Sequence, residues 1–318
     1  MRPLTAARFS GLKNVSPIRS SLRRQCERDP SIELAGWADR DVIGKYWGRA
    51  LLERAGDQLN YLNMHMMGQR PIRRDTVLNS LVYQSRPDEA WDELIELANR
   101  AEKRLVEFEQ AVDVPGSKAK IAITENHLTL MPWNLNPILC EWLSAVYHAK
   151  TLNLYQRHGA KVAIATAADY AGTRWTVNAV KIPVSLELNK APCYFTPAGS
   201  IMRLFKKHNG QHGVSVKISP QDLDVVASRT DDRIFLHVVN LNYRDSVQTG
   251  LSIQGMRVTS GRVFQIAPED PRTAVTEVTP DVFTPKEAAL NGGPAPTWTF
   301  PARSVATVEL TIAPAPAR

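Results

Sequence analysis

Between residues 29 and 166 the chain alternates short strand-like runs with long stretches of helical periodicity, and that order leaves few folds open. Residues 32–37, 59–65, 120–125 and 161–166 are short and rich in apolar or β-branched side chains, as buried parallel strands are. Helical spacing covers 42–55, where Val42, Tyr46, Ala50 and Leu51 recur, and 87–112, where Leu94, Leu97, Ala101, Leu105 and Phe108 share a face. A third helix is predicted over 136–157, with Leu139, Trp142, Leu143, Val146 and Leu152 turned inward. Asp39 or Asp41 is placed to cap the first helix, and Gly56 to close it in the left-handed conformation. Pro115-Gly116 and His158-Gly159 end the second and third. Strand, helix, strand in this order is parallel α/β architecture. Four such units make half of an eight-stranded barrel, so residues 29–190 are expected to form an incomplete (β/α)8 TIM barrel.

From Lys190 the pattern changes. Residues 214–218, 222–228, 233–241, 246–253, 261–266 and 304–312 are β-type runs separated by turn residues, with no long helix between them. They predict a C-terminal antiparallel β-sandwich over 191–318. The proline-bearing stretches 280–285 and 294–301 read as loops, and 194–208 as partly helical. Residues 1–28 are basic and carry Pro3, Gly11 and Pro17 with no stable period, which predicts a largely disordered segment, with 20–27 readable as the end of a helix.

The net charge of +7 is local. Arg2, Arg8, Lys13, Arg19, Arg23 and Arg24 stand in a stretch without any acid, and the rest of the chain is close to neutral. No basic patch is interleaved with aromatics, so nucleic acid is not an expected partner. No apolar run reaches the length of a membrane span, and the N-terminus lacks the apolar core of a secretory signal, which points to the cytoplasm. Cys26, Cys140 and Cys193 are too few and too far apart for a disulfide framework or thiolate zinc site, and read as buried free thiols. No G-x-S-x-G context and no glycine-rich phosphate loop is present. No metal or other cofactor is expected.

In a β/α barrel the active site draws its groups from the ends of several strands. The four predicted strands end at Trp37-Ala38-Asp39, His65, Glu125 and Thr166. Glu125 is the candidate catalytic residue, though a lone carboxylate there can also simply cap a strand at the surface. His65 is either a pocket residue or a satisfied structural histidine. Asn126 and His127 follow Glu125, with His127 expected to face the loop. A metal held by His65, Glu125 and His127 fits on ligand type, but their spacing matches no zinc motif. Trp133 and Trp175 lie in loop-like surroundings, where an aromatic face can stack on a sugar; for both, core and site readings stand level. Trp142, on an apolar helix face, reads as core.

Several segments together carry a family resemblance: Asp29-Pro30-Ser31-Ile32-Glu33-Leu34, Leu59-Asn60-Tyr61-Leu62-Asn63-Met64-His65, Ile123-Thr124-Glu125-Asn126, Thr176-Val177-Asn178-Ala179-Val180 and Tyr194-Phe195-Thr196-Pro197. In order and spacing they resemble the α-L-arabinofuranosidases of glycoside hydrolase family 51. The resemblance implies that the strands are about the last four of the barrel and that Glu125 is the nucleophile of a retaining mechanism. It also implies that His65 hydrogen-bonds in the sugar pocket; with it, Asn126, His127, Trp133 and Trp175 are candidate residues for binding an arabinose-containing oligosaccharide or polysaccharide. A homo-oligomer is compatible with it. Departures accompany it. The family's acid/base glutamate, after an asparagine on the fourth strand, has no counterpart here. His-x-Tyr becomes His65-Met66-Met67, and Trp175 stands where a glutamine is expected. A truncated enzyme of low activity on its own is therefore expected. The alternatives are a non-catalytic carbohydrate-binding remnant and another glycosidase of the same fold, such as a xylosidase or endoglucanase.

Overall fold

Strands and helices alternate as the apolar periodicity requires: β1 (Ala35–Trp37), α1 (Gly48–Ala55), β2 (Tyr61–Gly68), α2 (Pro87–Ala111), β3 (Lys120–Leu128), α3 (Ala145–Arg157) and β4 (Val162–Ala167). The structure, a computed structural model, describes residues 24, 27, 29–40, 44–68, 73–132, 135–167, 169–173, 176–183, 192–219 and 221–315. Most of the N-terminal segment, Cys26, Trp133, Trp175 and the expected boundary near residue 190 lie outside them. Among the described residues no helix is long and apolar enough to cross a membrane. The four strands form one sheet in the order β1-β2-β3-β4. β1 and β2 are parallel, with Ala35 opposite Tyr61 and Trp37 opposite Asn63. Lys120 N donates to Asn60 O and, further along, Thr129 N donates to Gly68 O. The partners advance together, so β2 and β3 are parallel as well.

By its contacts the chain divides into two compact units, residues 1–64 with 107–122, and residues 65–106 with 123–318. In the first, Arg40 pairs with Glu107 at 2.6 Å and the Tyr46 ring meets Phe108 edge-on at 5.3 Å. A methyl group on Gly48 would sit 2.8 Å from both Ala38 Cβ and Val112 Cγ1, so the start of α1 lies tight on its neighbours. The predicted first helix is shorter than expected. Its buried face is Gly48, Leu52 and Ala55 rather than Tyr46, Ala50 and Leu51. Gly56 does not take the left-handed conformation: at φ −63° it continues into a 3-10 turn, Gly56–Gln58. Asp39 accepts from Arg40 N instead of capping the helix.

The second unit carries most of α2 and the whole sandwich. β5 (Ala171–Gly172), β6 (Val180–Lys181) and β7 (Tyr194–Phe195) make a small sheet before α4 (Pro197–Lys207). The Thr196-Pro197 pair starts α4. Thr196 Oγ1 accepts from Gly199 N as N-cap, and Pro197 loses nothing at a position whose N–H has no helical partner. Then follow β8 (His212–Val214), β9 (Leu223–Thr230), β10 (Arg233–Asn240), β11 (Val247–Gly250), β12 (Met256–Ile266), β13 (Lys286–Gly293), β14 (Thr297–Phe300) and β15 (Val305–Pro314). Six of them form an antiparallel sheet, β13-β12-β15-β10-β9-β8, and β11 with β14 forms a second. Leu236, Val238, Val263, Phe300, Val308 and Leu310 are buried together within this sandwich. The stretch 294–301, expected as loop, thus holds a strand, because Trp298 and Phe300 turn its alternate side chains toward the core.

The predicted helix over 136–157 is broken. Short 3-10 turns, Pro137–Cys140 and Trp142–Ser144, precede α3, since Glu141 leaves helical geometry to bridge with Ala274. Glu141 then accepts from the Tyr83 hydroxyl at 2.8 Å. Trp142 is core, as expected, its indole N–H donating to Arg303 O. α3 is buried almost all round, polar residues included. Lys150, Asn153 and Arg157 converge on Asp224 of β9 at 3.2, 2.7 and 3.1 Å. Burial raises the Asp224 pKa, but the Arg157 guanidinium and Lys150 ammonium outweigh it and hold the carboxyl below its usual range. Cys140 is half-buried, while Cys193 is exposed, which corrects the expectation of buried thiols.

Candidate active site

β2 and β3 both run on past their predicted ends, to Gly68 and Leu128, so neither His65 nor Glu125 is the last residue of its strand. Polar side chains do not mark the ends of these strands. A carboxylate or imidazole on one face of a parallel strand does not end it while the other face stays apolar. In β2, Leu62, Met64, Met66 and Gly68 are buried and the residues between them are half-buried, which sets His65 on the more open face. Glu125 meets it there: His65 Nδ1 lies 3.2 Å from Glu125 Oε2, with the side chains 24% and 42% exposed. A polar contact this exposed contributes at most about 1 kcal/mol. Stability is therefore a poor reason for the pair, and an accessible carboxylate held by an imidazole is a good arrangement for chemistry.

Glu125 is fixed from both sides of its strand. Thr166 Oγ1 on β4 donates to Thr124 O at 2.8 Å, and the Tyr155 hydroxyl on α3 donates to Asn126 Oδ1 at 2.9 Å. Asn126 is thus turned toward the helix and is 6% exposed. Tyr147, on α3 eight residues before Tyr155, hydrogen-bonds the backbone of Gly68. A Cβ on Gly68 would come within 2.8 Å of the Tyr147 hydroxyl oxygen. One helix therefore anchors both strands that carry the His65–Glu125 pair.

His127 does not face a loop. It lies within β3, 5% exposed, with Nδ1 buried and lacking a hydrogen-bond partner. Burial pushes its pKa down to about 4, with Asp169 pulling upward and His65 pressing further down. His148 of α3 is pushed to about 3, by burial first and by His127 second. Both rings are neutral in the fold near pH 7. Among the described residues no three His, Cys, Asp or Glu side chains are grouped to hold a metal ion. Of the residues expected at the site, His65 and Glu125 are brought together, while Asn126 and His127 lie beside them within the protein. Tyr147, Tyr155, His148 and Asp169 were not foreseen. For the three on α3 the trace in the sequence is a helix whose buried faces carry tyrosines eight apart and several polar residues; Asp169, in the loop after β4, leaves none.

No family model matches this chain, and no curated protein matches it. Solved structures do. An arabinofuranosidase superposes with a TM-score of 0.71 at 18% identity, covering 92% of this chain and 61% of that one. The GH51 α-L-arabinofuranosidase of Thermotoga petrophila gives 0.71 at 17%, with 92% and 60% covered. A GH44 xyloglucanase of Paenibacillus polymyxa gives 0.63 at 15%, with 92% and 59% covered. The chain thus spans about three fifths of these structures' length, 59–61%. The likeness establishes the fold, a partial β/α barrel followed by a β-sandwich.

Proposed function

We propose that this chain is a retaining glycoside hydrolase of the α-L-arabinofuranosidase type, removing terminal arabinofuranosyl units from arabinose-containing oligosaccharides or polysaccharides. The observation that carries the reading is the accessible Glu125 carboxylate, 3.2 Å from His65 on the neighbouring strand. The likeness of fold to the GH51 enzymes supports the choice of sugar. In the first step a Glu125 oxygen attacks the anomeric carbon, the bond to the leaving-group oxygen breaks, and an ester joins sugar to enzyme. The leaving oxygen takes a proton from a general acid. Water then attacks the anomeric carbon, releasing the sugar and freeing the carboxylate. His65 orients Glu125 through its 3.2 Å contact, and Thr166, Tyr155 and Asn126 hold the strand that bears it.

An aryl arabinofuranoside whose phenol leaves without protonation isolates the step assigned to Glu125, because no general acid is then required. With 2,4-dinitrophenyl α-L-arabinofuranoside the chain should release phenol in a burst, and mass spectrometry should find one pentosyl unit on the peptide containing Glu125. Glu125→Ala should abolish both. Phenol release that survives Glu125→Ala, or no pentosyl adduct at all, overturns the assignment. The likeness to GH44 structures favours one second reading, cleavage within a β-linked glucan. Reducing ends released from xyloglucan, with no burst from the arabinofuranoside, would select it.

A further inference from the structure

The loop after β4 presents an aromatic ring to solvent on a backbone that is held from several directions. Tyr170 is 61% exposed. Its carbonyl oxygen accepts from Val180 N at 2.8 Å, and Gly172 O accepts from Ile182 N at 2.9 Å. The backbone pairs Ala171 with Val180 and Gly172 with Lys181. Asn178 Nδ2 donates to Asp169 O at 2.6 Å, and Asn178 O in turn accepts from the Thr196 hydroxyl at 2.8 Å. Asp169 has φ +48°, the left-handed conformation that Asp and Asn tolerate better than most residues. The exposed Tyr170 ring of this loop is thus carried on an ordered backbone.

Its position gives the ring a use. β4 neighbours β3, and the Asp169 carboxylate acts electrostatically on His127, two residues beyond Glu125 on β3. The loop therefore follows the strand next to β3 and lies within electrostatic reach of His127, two residues from Glu125. A carboxylate accepts hydrogen bonds from hydroxyl groups, and a tyrosine ring offers a flat apolar face to the C–H surface of a sugar ring. With the backbone already ordered, little conformational entropy is lost when that face is covered.

We propose that Asp169 and Tyr170 form a further saccharide subsite, taking the neutral sugar unit next to the one held at Glu125. Tyr170 stacks on the sugar ring and Asp169 accepts from its hydroxyls. This rests on the reading of Glu125 as the reacting carboxylate only for what lies next door; the binding itself does not need turnover.

The test uses the full chain carrying Glu125→Gln, titrated calorimetrically with arabinose and with α-1,5-linked arabinotetraose. Tyr170→Ala should weaken the tetraose about three- to ten-fold while leaving arabinose binding unchanged. Tyr170→Trp should restore it. Asp169→Asn, which keeps the left-handed backbone, should also weaken the tetraose selectively. Equal tetraose affinity with and without the Tyr170 ring overturns the subsite, as does an equal loss for both ligands, or a parent chain that binds no tetraose. A selective loss on Tyr170→Ala in a chain that forms no adduct at Glu125 would uphold the subsite and sink the hydrolase reading instead.

Discussion

Acid should destabilise this protein through its buried histidines, and removing His127 or His148 should blunt the effect measurably. His127 and His148 are 5% and 7% exposed, and burial holds their pKa values at about 4 and about 3. Unfolding returns each to its ordinary value of 6.5. Below 6.5 the unfolded chain therefore binds protons that the folded chain refuses, and stability rises with pH throughout that window. Each ring's contribution is fully present above 6.5 and is lost as pH falls toward the folded values. At about pH 4.5 each costs the fold about 2.5 kcal/mol relative to neutral pH, a substantial part of a typical folding free energy. Replacing the ring by asparagine removes the titration and keeps a polar group. Urea unfolding followed by tryptophan fluorescence, at about pH 7.5 and about pH 4.5, gives the change for parent, His127→Asn and His148→Asn. Carboxylates common to all three cancel in the comparison. Each variant should lose about 2.5 kcal/mol less than the parent between the two pH values. Stabilities that fall in parallel for parent and variants would show that the rings are charged, or solvated, within the fold.

Two further substitutions test the packing beside Glu125 and at the start of α4. Tyr155→Phe removes the donor to Asn126 Oδ1 beside Glu125. It should cost about 1–3 kcal/mol in urea unfolding, and an unchanged midpoint would mean that Asn126 finds another donor. Gly199→Ala would drive its methyl group into the carbonyl oxygen of Ala179 and to within 2.9 Å of Phe195 Cδ1. Backbone cannot give way as a side chain can, so the loss should be about 3 kcal/mol. Gly213→Ala, where a Cβ meets nothing within 4 Å, is the control. Equal midpoints for the two would refute the close packing of α4.

The amphipathic helix at 87–111 was readable almost to its ends, because Asp88 and Glu89 favour its first turn and Leu94, Leu97, Ala101, Leu105 and Phe108 repeat on one face. The Thr196-Pro197 start of α4 was equally local. Strand ends were not. A strand continues as long as neighbours supply hydrogen bonds, and the partners of Gly68 and Leu128 come from distant parts of the chain. The helix over 136–157 failed for the same reason: Glu141 leaves the helix for a bridge to Ala274, more than a hundred residues away.

The sequence by itself determined the class of the fold and singled out His65 and Glu125, because period, turn chemistry and residue type act over a few residues at a time. Tertiary structure alone decided that these two meet at 3.2 Å, that Asn126 turns to Tyr155, and that His127 is buried and neutral. The physical reason is that distance, burial and the field of neighbouring charges depend on which segments pack together. α3 makes those choices here, joining Tyr147 to β2 and Tyr155 to β3 while Lys150, Asn153 and Arg157 fasten it to Asp224.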